Sequence, residues 1–383
     1  AGGGIVLHMS RASISGCQIN NNYVQGAGND NAGGGIWVGI NSSLILEEST
    51  LYGNRAIQYL GGDISRGGGL EVYIGGAAEI SDCTFEMNYS DYGGGIMAVL
   101  ANKLYINGTN ILRNDAMKES GGGVMVYETD EFLMDHSKLA NNATRSHSGG
   151  GLCVYLTRVA RISYCTLLEN KAELFGGGIF LRTADTDISN CTIQGNKSNS
   201  GGGGLYAVDS MTDLQDISFS YNTTGGDGGG AFLVRMDRNG AGSTLSRNRF
   251  LENSAGKGGG GLSVELVTVT MDSSDFEENT ARVGGAVCHV SAPDSRMDIA
   301  ACRFLGNKAE YGGAIYNHDH SYEDPADTDK YQDLFTDWET EFDGNEASLG
   351  LMEPPVNWDE FDNLKFKTLS AVTVRPSPLN NYD

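Results

Sequence analysis

The stretch Gly149-Gly150-Gly151-Leu152, followed by Leu167-Leu168-Glu169-Asn170, contains both marks of a repeat that runs along nearly the whole chain. The first mark is a glycine cluster before an aliphatic residue. The second is an apolar residue three positions before an asparagine. The unit returns about every 28 residues, and periods of roughly 20–50 residues are typical of solenoids, propellers and arrays. The period therefore decides the fold class.

The two parts of each repeat differ in how constant their length is. The distance from the last glycine to the asparagine is 19 residues in five copies, for example from Gly151 to Asn170. The gap from the asparagine to the next glycines varies, from 5 residues after Asn88 to 13 after Asn54. A constant arc indicates a packed segment, and a variable arc indicates a surface loop.

Within the constant arc the polarity alternates with period two. Cys83 and Phe85 lie on one side and Thr84 on the other, as on a half-buried strand. Two or three such short strands in each repeat leave no room for a helix. We therefore predict an all-β, right-handed parallel β-helix of about 11–12 coils, with the right hand expected from the general preference of parallel crossovers.

Glycine and asparagine suit the corners of such a coil. Glycine accepts positive φ and lets successive coils stack closely. An asparagine at a fixed corner tolerates the left-handed region, and its amide can bond to the asparagines above and below it. The predicted ladder comprises Asn88, Asn114, Asn142, Asn170, Asn196, Asn222, Asn253, Asn279 and Asn307.

Two other repeat architectures fit less well. A propeller blade needs four antiparallel strands in roughly 40–50 residues, which is longer than this period. A leucine-rich repeat would need a leucine ladder and a shorter spacing. Residues 1–349 are thus predicted to form the repeat domain, with an acidic insertion at 317–341, and residues 350–383 a C-terminal cap or linker. Because the chain opens within a repeat, we expect a fragment of a longer or processed protein.

Charge excludes some partners. The 383 residues carry a net charge of −23, which argues against nucleic acid, because nucleic-acid binding depends on clustered Lys and Arg. No apolar run approaches the roughly 18 residues that a membrane-spanning helix needs. An acidic surface is consistent with an extracellular or cell-surface location.

The seven cysteines occupy shared slots. Five lie five positions before a repeat asparagine, and Cys153 and Cys288 follow a glycine cluster. Shared slots predict core columns in which cysteine packs as a small hydrophobe. Cys165 and Cys191 stand on successive coils, so a disulfide between them is geometrically conceivable.

Seven Asn-X-Ser/Thr sequons occur, of which four use corner asparagines. Corner side chains are needed inside the coil, so Asn41 and Asn107 are the better candidates for glycosylation.

The pairing of Phe276-Glu277-Glu278-Asn279 with Gly284-Gly285-Ala286-Val287, and its copy at Phe304 to Ile315, resembles the repeat of the chlamydial polymorphic outer-membrane proteins. The resemblance covers residues 1–345. It implies a right-handed parallel β-helix of the pectate-lyase-like superfamily, exported, displayed at a surface and acting in adhesion. Most copies here read Gly-Gly-Gly where that family has Gly-Gly-Ala, and similar repeats occur in surface proteins of unicellular eukaryotes.

Candidates for chemistry are few. Enzymes on this fold interrupt the repeat with long loops and clustered carboxylates, whereas this repeat is regular through residue 290, so we predict no enzymatic activity. We expect no cofactor other than calcium, for which a flexible loop with several carboxylates is suitable. The candidate calcium ligands are Asp319, Glu323, Asp324, Asp327 and Asp329.

The function we expect is that of a structural or adhesive extracellular scaffold, a building block of a surface assembly or filament. Its expected partners are other protein subunits or further copies of itself, with polysaccharide as an additional candidate. The alternative is a carbohydrate-active enzyme or carbohydrate-binding module that uses one face of the same rod. Carboxylates and aromatic residues on successive coils would favour this alternative.

Overall fold

The computed structural model describes residues 2–26, 32–58, 65–235, 242–291, 295–319, 334–337 and 339–348. The chain divides into two compact units, residues 1–199 and 200–383, which are treated separately below. The predicted repeat domain, residues 1–349, spans parts of both units. The predicted cap or linker at 350–383 lies outside the described residues, as does most of the acidic insertion.

The first unit has seven coils, and each coil contributes one strand to each of three parallel sheets. The first sheet, after the glycines, consists of Ile5–Leu7, Ile36–Val38, Leu70–Tyr73, Ile96–Val99, Val124–Tyr127, Leu152–Tyr155 and Ile179–Arg182. The second consists of Arg11–Ser15, Ser43–Glu47, Ala77–Ser81, Lys103–Asn107, Glu131–Asp135, Val159–Ser163 and Thr186–Ser189. The third consists of Gln18–Asn20, Thr50–Tyr52, Thr84–Glu86, Asn110–Leu112, Lys138–Ala140, Thr166–Leu168 and Thr192–Gln194. Short strands of a fourth set follow the corner asparagines: Tyr23–Gly26, Arg55–Gln58, Tyr89–Ser90, Asp115–Ala116, Ala143–Thr144 and Lys197–Ser198.

The second unit repeats this plan over five coils. Its first sheet consists of Leu205–Val208, Ala231–Val234, Leu262–Glu265, Val287–Ser291 and Ile315–Asp319. Its second consists of Thr212–Gln215, Gly242–Ser246, Thr268–Asp272, Met297–Ala300 and Leu334–Thr336. Its third consists of Ser218–Ser220, Arg249–Leu251, Asp275–Glu277, Arg303–Leu305 and Glu341–Asp343. The fourth set consists of Thr223–Thr224, Ser254–Ala255, Lys308–Ala309 and Glu346–Ala347.

The register of neighbouring strands shows why the repeat has its period. Phe85 pairs with Leu51 on one side and with Ile111 on the other, so each residue stacks on its counterpart one coil away. All these pairings are parallel, which confirms the predicted all-β parallel β-helix. The fourth set of strands was not predicted, because its strands have only two to four residues, which are too few to show a period.

Residues that point inward fill the core in columns. In the second unit Phe219, Phe250, Phe276, Phe304 and Phe342 stack with neighbouring ring centroids 4.5–5.0 Å apart and planes within 10° of parallel. The first four of these rings are fully buried. Stacked aromatic rings contribute stabilisation beyond that of the apolar area they bury. The column is therefore a major source of stability in the second unit.

Glycine serves the first corner in two ways. Gly149 has φ +69°, a conformation that side chains with a Cβ rarely adopt. Gly150 has an ordinary φ, but a Cβ there would lie 2.4 Å from the Lys171 carbonyl oxygen of the next coil. The cluster therefore combines a left-handed position with a position where backbones touch.

The cysteines five before the asparagine lie at the second corner. Ser49, Thr109 and Ser137 occupy the same position in other coils. The side chain there accepts a hydrogen bond from a backbone N–H of the preceding coil; for example, the Cys83 N–H donates to Thr109 Oγ1 at 3.3 Å. Burial raises the pKa of the Cys83 thiol to about 11. The slot is thus a hydrogen-bonding corner as well as a packed position. Cys17 was expected in the core but is exposed. The strand that follows it, Gln18–Asn20, pairs with one described strand, so no described strand covers its other side.

All seven cysteines are free thiols. In the pair Cys165 and Cys191 the Cys165 N–H donates to Cys191 Sγ at 3.3 Å. A separate hydrogen bond between the Cys165 and Cys191 side chains, together with burial, raises the pKa of the Cys165 thiol.

The corner asparagines form continuous hydrogen-bonded ladders. Asn142 Oδ1 accepts from the backbone N–H of Asn114 at 2.9 Å and from its Nδ2 at 3.0 Å. Asn142 Nδ2 donates to Asn170 Oδ1 at 3.0 Å and to the Ile111 carbonyl at 2.8 Å. Every polar group of the buried amide is therefore satisfied. The ladder of the first unit comprises Asn22, Asn54, Asn88, Asn114, Asn142, Asn170 and Asn196, and that of the second Asn222, Asn253, Asn279, Asn307 and Asn345.

We predict that Asn142→Asp destabilises the first unit by about 3–5 kcal/mol, because a carboxylate there would face the Asn170 and Ile111 oxygens with no proton to donate. Thermal unfolding at pH 7 and pH 4 measures this effect, which should shrink at pH 4, where the acid is protonated. The control is Asn141→Asp, next to it but exposed and at φ +58°, which should melt like the parent. Equal melting temperatures for both variants would contradict the structural role of the ladder.

We also predict that Ile193→Asp in the first unit and Phe219→Asp in the second unfold the neighbouring coils. Both side chains are fully buried, and a cavity combined with an unpaired buried charge costs more than about 4 kcal/mol. Circular dichroism melts measure the loss. The matched controls are Thr192→Asp and Ser218→Asp, one residue earlier on the outward side of the same strands. Parent-like melting of the Ile193 and Phe219 variants would show that the inward assignment is wrong.

Candidate binding surfaces

The sites proposed from sequence have different positions in the fold. Asp319 ends a first-sheet strand, whereas Glu323, Asp324, Asp327 and Asp329 lie outside the described residues. Asn41 is exposed at a left-handed turn, and Asn107 is half-buried at the end of a strand. In the ranges that the structure describes, no group of three or more His, Cys, Asp or Glu side chains is placed to hold a metal ion.

The outer face of the first sheet in the first unit is apolar, which the sequence analysis did not predict. Met97, Val99, Met125 and Cys153 form a buried cluster on this face, with Tyr73, Tyr92, Tyr127 and Phe180 packed against it. Cys153 was expected in the inner core, but it stands one residue after Leu152, which points inward. The face could have been recognised from strands such as Ile96–Val99, which are apolar at every position and so bury both faces.

Aromatic rings on this face stack along the direction in which the coils stack. Tyr155 has the Tyr127 ring 5.1 Å away on one side and the Arg182 guanidinium 5.3 Å from its centroid on the other. Tyr73 has Trp37 at 6.2 Å and the Arg66 guanidinium at 5.1 Å. These contacts occupy part of each ring face.

A row of exposed aliphatic side chains borders these rings. It follows the first-sheet strands and consists of Ile40, Ile74, Leu100 and Leu156, with the exposed Glu128 in the same position on the coil between the two leucines. Leu100 and Leu156 are about 40% exposed and have φ +51°, a conformation that costs a non-glycine residue roughly 1 kcal/mol or more. We call this row, together with Trp37, Tyr73, Tyr127 and Tyr155, the apolar stripe. Glu128 and Thr183 have the same left-handed φ in this position, so the conformation belongs to the corner, and it is the exposure of large apolar side chains that points to a contact with another molecule.

A groove of about 400 Å³ lies elsewhere on the first unit, above the fourth set of strands. Arg55, Tyr89 and Asp115 are register partners on three successive coils, so the groove crosses them in turn. Ile57, Met87, Asn88 and Arg113 complete its lining. A concave site of this size is suitable for a small ligand or one unit of a polymer.

The second unit has a partly buried carboxylate on the outer side of its first corner. Asp227 Oδ1 accepts the Gly258 N–H at 2.9 Å. A Cβ on Gly258 would lie 2.9 Å from Asp227 Oδ1 and 2.9 Å from Cys288 Sγ, so only glycine fits between them. Burial raises the pKa of Asp227 to about 6 against the opposing effects of the Gly258 N–H and Lys257, and burial also raises the pKa of Glu265 nearby.

These features define the class of protein: a parallel β-helix built of stacked, regularly repeated coils. Residues 3–189 and 150–323 match the family model described as right handed beta helix region. The chain belongs to this family, and the predicted right hand is thereby confirmed. No curated protein matches the sequence. Within the ranges that the structure describes, no helix is long and apolar enough to cross a membrane.

We predict that Asp227→Asn stabilises the second unit at pH 7.5. A carboxyl whose pKa is higher in the folded state than in the unfolded state is favoured when protonated, so stability falls as pH rises from about 4 to about 6. A shift from 3.8 to about 6 corresponds to at most about 3 kcal/mol, and the partial exposure of Asp227 reduces this to about 1–2 kcal/mol. Asparagine keeps the acceptor for Gly258.

Denaturant unfolding of parent and variant at pH 4 and pH 7.5 tests this, with the exposed Glu278→Gln as the control. The gain should appear at pH 7.5 and vanish at pH 4. A difference that does not change with pH would contradict the assignment.

Proposed function

We propose that this protein is a non-enzymatic structural and adhesive scaffold outside the cell, a unit of a larger surface assembly that associates with further copies of itself. The apolar stripe carries this proposal. The resemblance of the repeat to the chlamydial polymorphic outer-membrane proteins supports display at a surface, and the acidic composition supports an extracellular location.

The chemistry of the stripe favours a protein partner over a sugar. Sugars bind aromatic side chains through the ring face, but Tyr73 and Tyr155 each already have a neighbouring ring and a guanidinium within about 6 Å of the ring centroid. Ring edges, phenol hydroxyls and the adjacent leucines are groups that protein interfaces bury at their centres.

The local charge near the stripe supports a second copy of the chain as the occupant. The chain as a whole has a charge of −23, so two copies repel each other over most of their surfaces. Near the stripe, the Arg182 guanidinium lies over the Tyr155 ring. The charge of Arg66, which lies over Tyr73, is compensated by the buried Glu71. The stripe is therefore a face where two acidic chains can meet with the least repulsion. Added salt should strengthen the contact by screening the remaining repulsion.

We predict that the double variant Leu100→Asn and Leu156→Asn self-associates at least tenfold more weakly than the parent while folding as stably. Asparagine tolerates the left-handed conformation, so the change should leave the free energy of unfolding unchanged or raise it by about 1 kcal/mol. Sedimentation velocity across a concentration series, at low and moderate salt, measures the association.

The control is Tyr164→Asn, which relieves the same backbone conformation, φ +51°, at an exposed residue of the second corner. It should associate like the parent. A parent chain that stays monomeric at every concentration and salt level would overturn self-association. Equal association of the leucine double variant and the parent would show that the contact lies elsewhere.

A further inference from the structure

We propose that Asn190 is an acceptor for an N-linked oligosaccharide, and that the fold excludes this modification at the four sequons of the asparagine ladders. The inference rests on the proposed extracellular location, because N-linked oligosaccharides are attached during export. It assigns one site where a sugar chain is compatible with the folded coil and four where it would prevent folding. The excluded sequons are those of Asn88, Asn142, Asn196 and Asn222.

The ladder sequons are a product of the repeat itself. From Asn54 to Asn345, the residue two positions after each ladder asparagine is Ala, Ser or Thr. In the short strands Tyr89–Ser90, Asp115–Ala116 and Ala143–Thr144 this residue is buried, whereas the one before it is half-buried. The inward position thus takes a small side chain, and a serine or threonine there completes a sequon by coincidence. The residues in this position are Ala56, Ser90, Ala116, Thr144, Ala172, Ser198, Thr224, Ala255, Ala281, Ala309 and Ala347.

The buried amide of a ladder asparagine has no space for a sugar. An N-linked oligosaccharide is joined through its anomeric carbon to Nδ2, where it replaces one amide hydrogen. Asn142 Nδ2 donates to Asn170 Oδ1 at 3.0 Å and to the Ile111 carbonyl at 2.8 Å, so both of its hydrogens are in use. A Cβ on Gly123 would lie only 3.1 Å from this Nδ2. Since even a methyl group is crowded there, a sugar ring is excluded.

The modification takes place before the ladder forms. The transferase uses an oligosaccharide linked to a polyprenyl pyrophosphate, and the asparagine Nδ2 displaces the pyrophosphate at the anomeric carbon. The C–O bond to the carrier breaks, the C–N bond to the amide forms, and the amide proton passes to a base of the transferase. The reaction acts on the unfolded exported chain, in which ladder sequons are as accessible as the others. A ladder asparagine modified at that stage cannot enter its corner, so its coil cannot close.

Asn190 has different surroundings from the ladder asparagines. It is exposed at the second corner, with φ +53°, a left-handed conformation that asparagine tolerates. The threonine of its sequon begins the strand Thr192–Gln194 on the outward side, because Ile193 is the buried residue of that strand. An oligosaccharide at Asn190 therefore extends into solvent and leaves the packing of the coil unchanged.

The two acceptors predicted from the sequence differ from each other. Asn41 is exposed like Asn190, so the fold admits an oligosaccharide there as well. Asn107 is half-buried, and the hydroxyl of its sequon residue Thr109 is buried between the Cys83 N–H and the Asn107 carbonyl. Asn190 was passed over because a sequon does not show which way its asparagine faces.

The experiment is secretion of the full chain from a eukaryotic cell line that N-glycosylates exported proteins, followed by peptide mapping of the secreted and the retained material. Enzymatic removal of the oligosaccharide converts each modified asparagine to aspartate, which marks the site by its mass. In the secreted protein Asn190 should be marked in most molecules and the four ladder asparagines in none. The retained protein should carry marks on the ladder.

A fourfold variant removes the ladder sequons and keeps every ladder amide. Alanine occupies the substituted position in other coils, for example Ala116, so the variant should fold, and a melt of protein produced without glycosylation checks this. It should be secreted at least tenfold more than the parent. Addition of Thr192→Ala should abolish the mark on Asn190. The four substitutions are Ser90→Ala, Thr144→Ala, Ser198→Ala and Thr224→Ala.

A second measurement needs no substitution. When synthesis of the lipid-linked donor is inhibited in the cells, secretion of the parent should rise at least tenfold, because its ladder then stays unmodified.

A marked ladder asparagine in secreted protein that melts like the unmodified parent would overturn the exclusion. Equal secretion of the parent with and without the inhibitor would also overturn it. An unmarked Asn190 in the secreted fourfold variant would overturn the site assignment. Self-association is measured on protein produced without glycosylation, so failure of either proposal leaves the other standing.

Discussion

The hydrogen bonds between corner asparagines are the interaction on which the rest of each unit depends. Each amide of the ladder interior accepts two bonds at its oxygen and donates two from its nitrogen, as Asn142 shows. The corner thus closes the coil at a point where the backbone turns and its own groups would otherwise be unpaired. Since every bond runs to a neighbouring coil, the ladder also sets the register of each coil on the next.

That constraint explains the constant and variable arcs. Between the glycines and the asparagine, three strands must reach the same corner, so the arc keeps 18 or 19 residues in most coils. The arc from Gly230 to Asn253 has 23 residues, and its ladder bonds persist because the extra length falls between two strands, Ala231–Val234 and Gly242–Ser246. After the asparagine no such requirement holds, and the length of the chain can change. The inner columns and corners are therefore committed to stacking. The surfaces that can take on other roles are the outer sheet faces and the variable arc, where the apolar stripe and the groove lie.

The inner structure was predictable because its signals are local and repeated. A strand such as Thr84–Glu86 shows its inward Phe85 in every coil, and the asparagine follows at a fixed distance. The outer surfaces were missed for a physical reason. Arg55, Tyr89 and Asp115 each directly follow a ladder asparagine, so the repeat itself brings them into register, but they share no residue type and form no column of like residues that a pattern could show.

The cysteines show how one slot can be assigned to the wrong environment. Cys153 and Cys165 both occupy repeated positions, and repetition alone indicates that a column exists. It does not give the side to which the column faces. Cys165 lies at the second corner, where its neighbours accept backbone N–H groups, whereas Cys153 lies in the outer cluster with Met125. Side chains alternate along a strand, so a residue an odd number of positions from a known inward-facing residue, here Leu152, faces outward.

Ion pairs between adjacent coils recur on the outer surface of the first unit. In the first unit Lys103 pairs with Glu79 and Arg161 with Asp187, in each case between adjacent coils. Pairs this exposed contribute about 1 kcal/mol or less, so their main effect is to compensate charge along the stacked coils. An exposed cation that lacks a carboxylate partner therefore costs the fold little. Arg55 is such a cation among the described residues, and it lies beside a concave surface of the first unit.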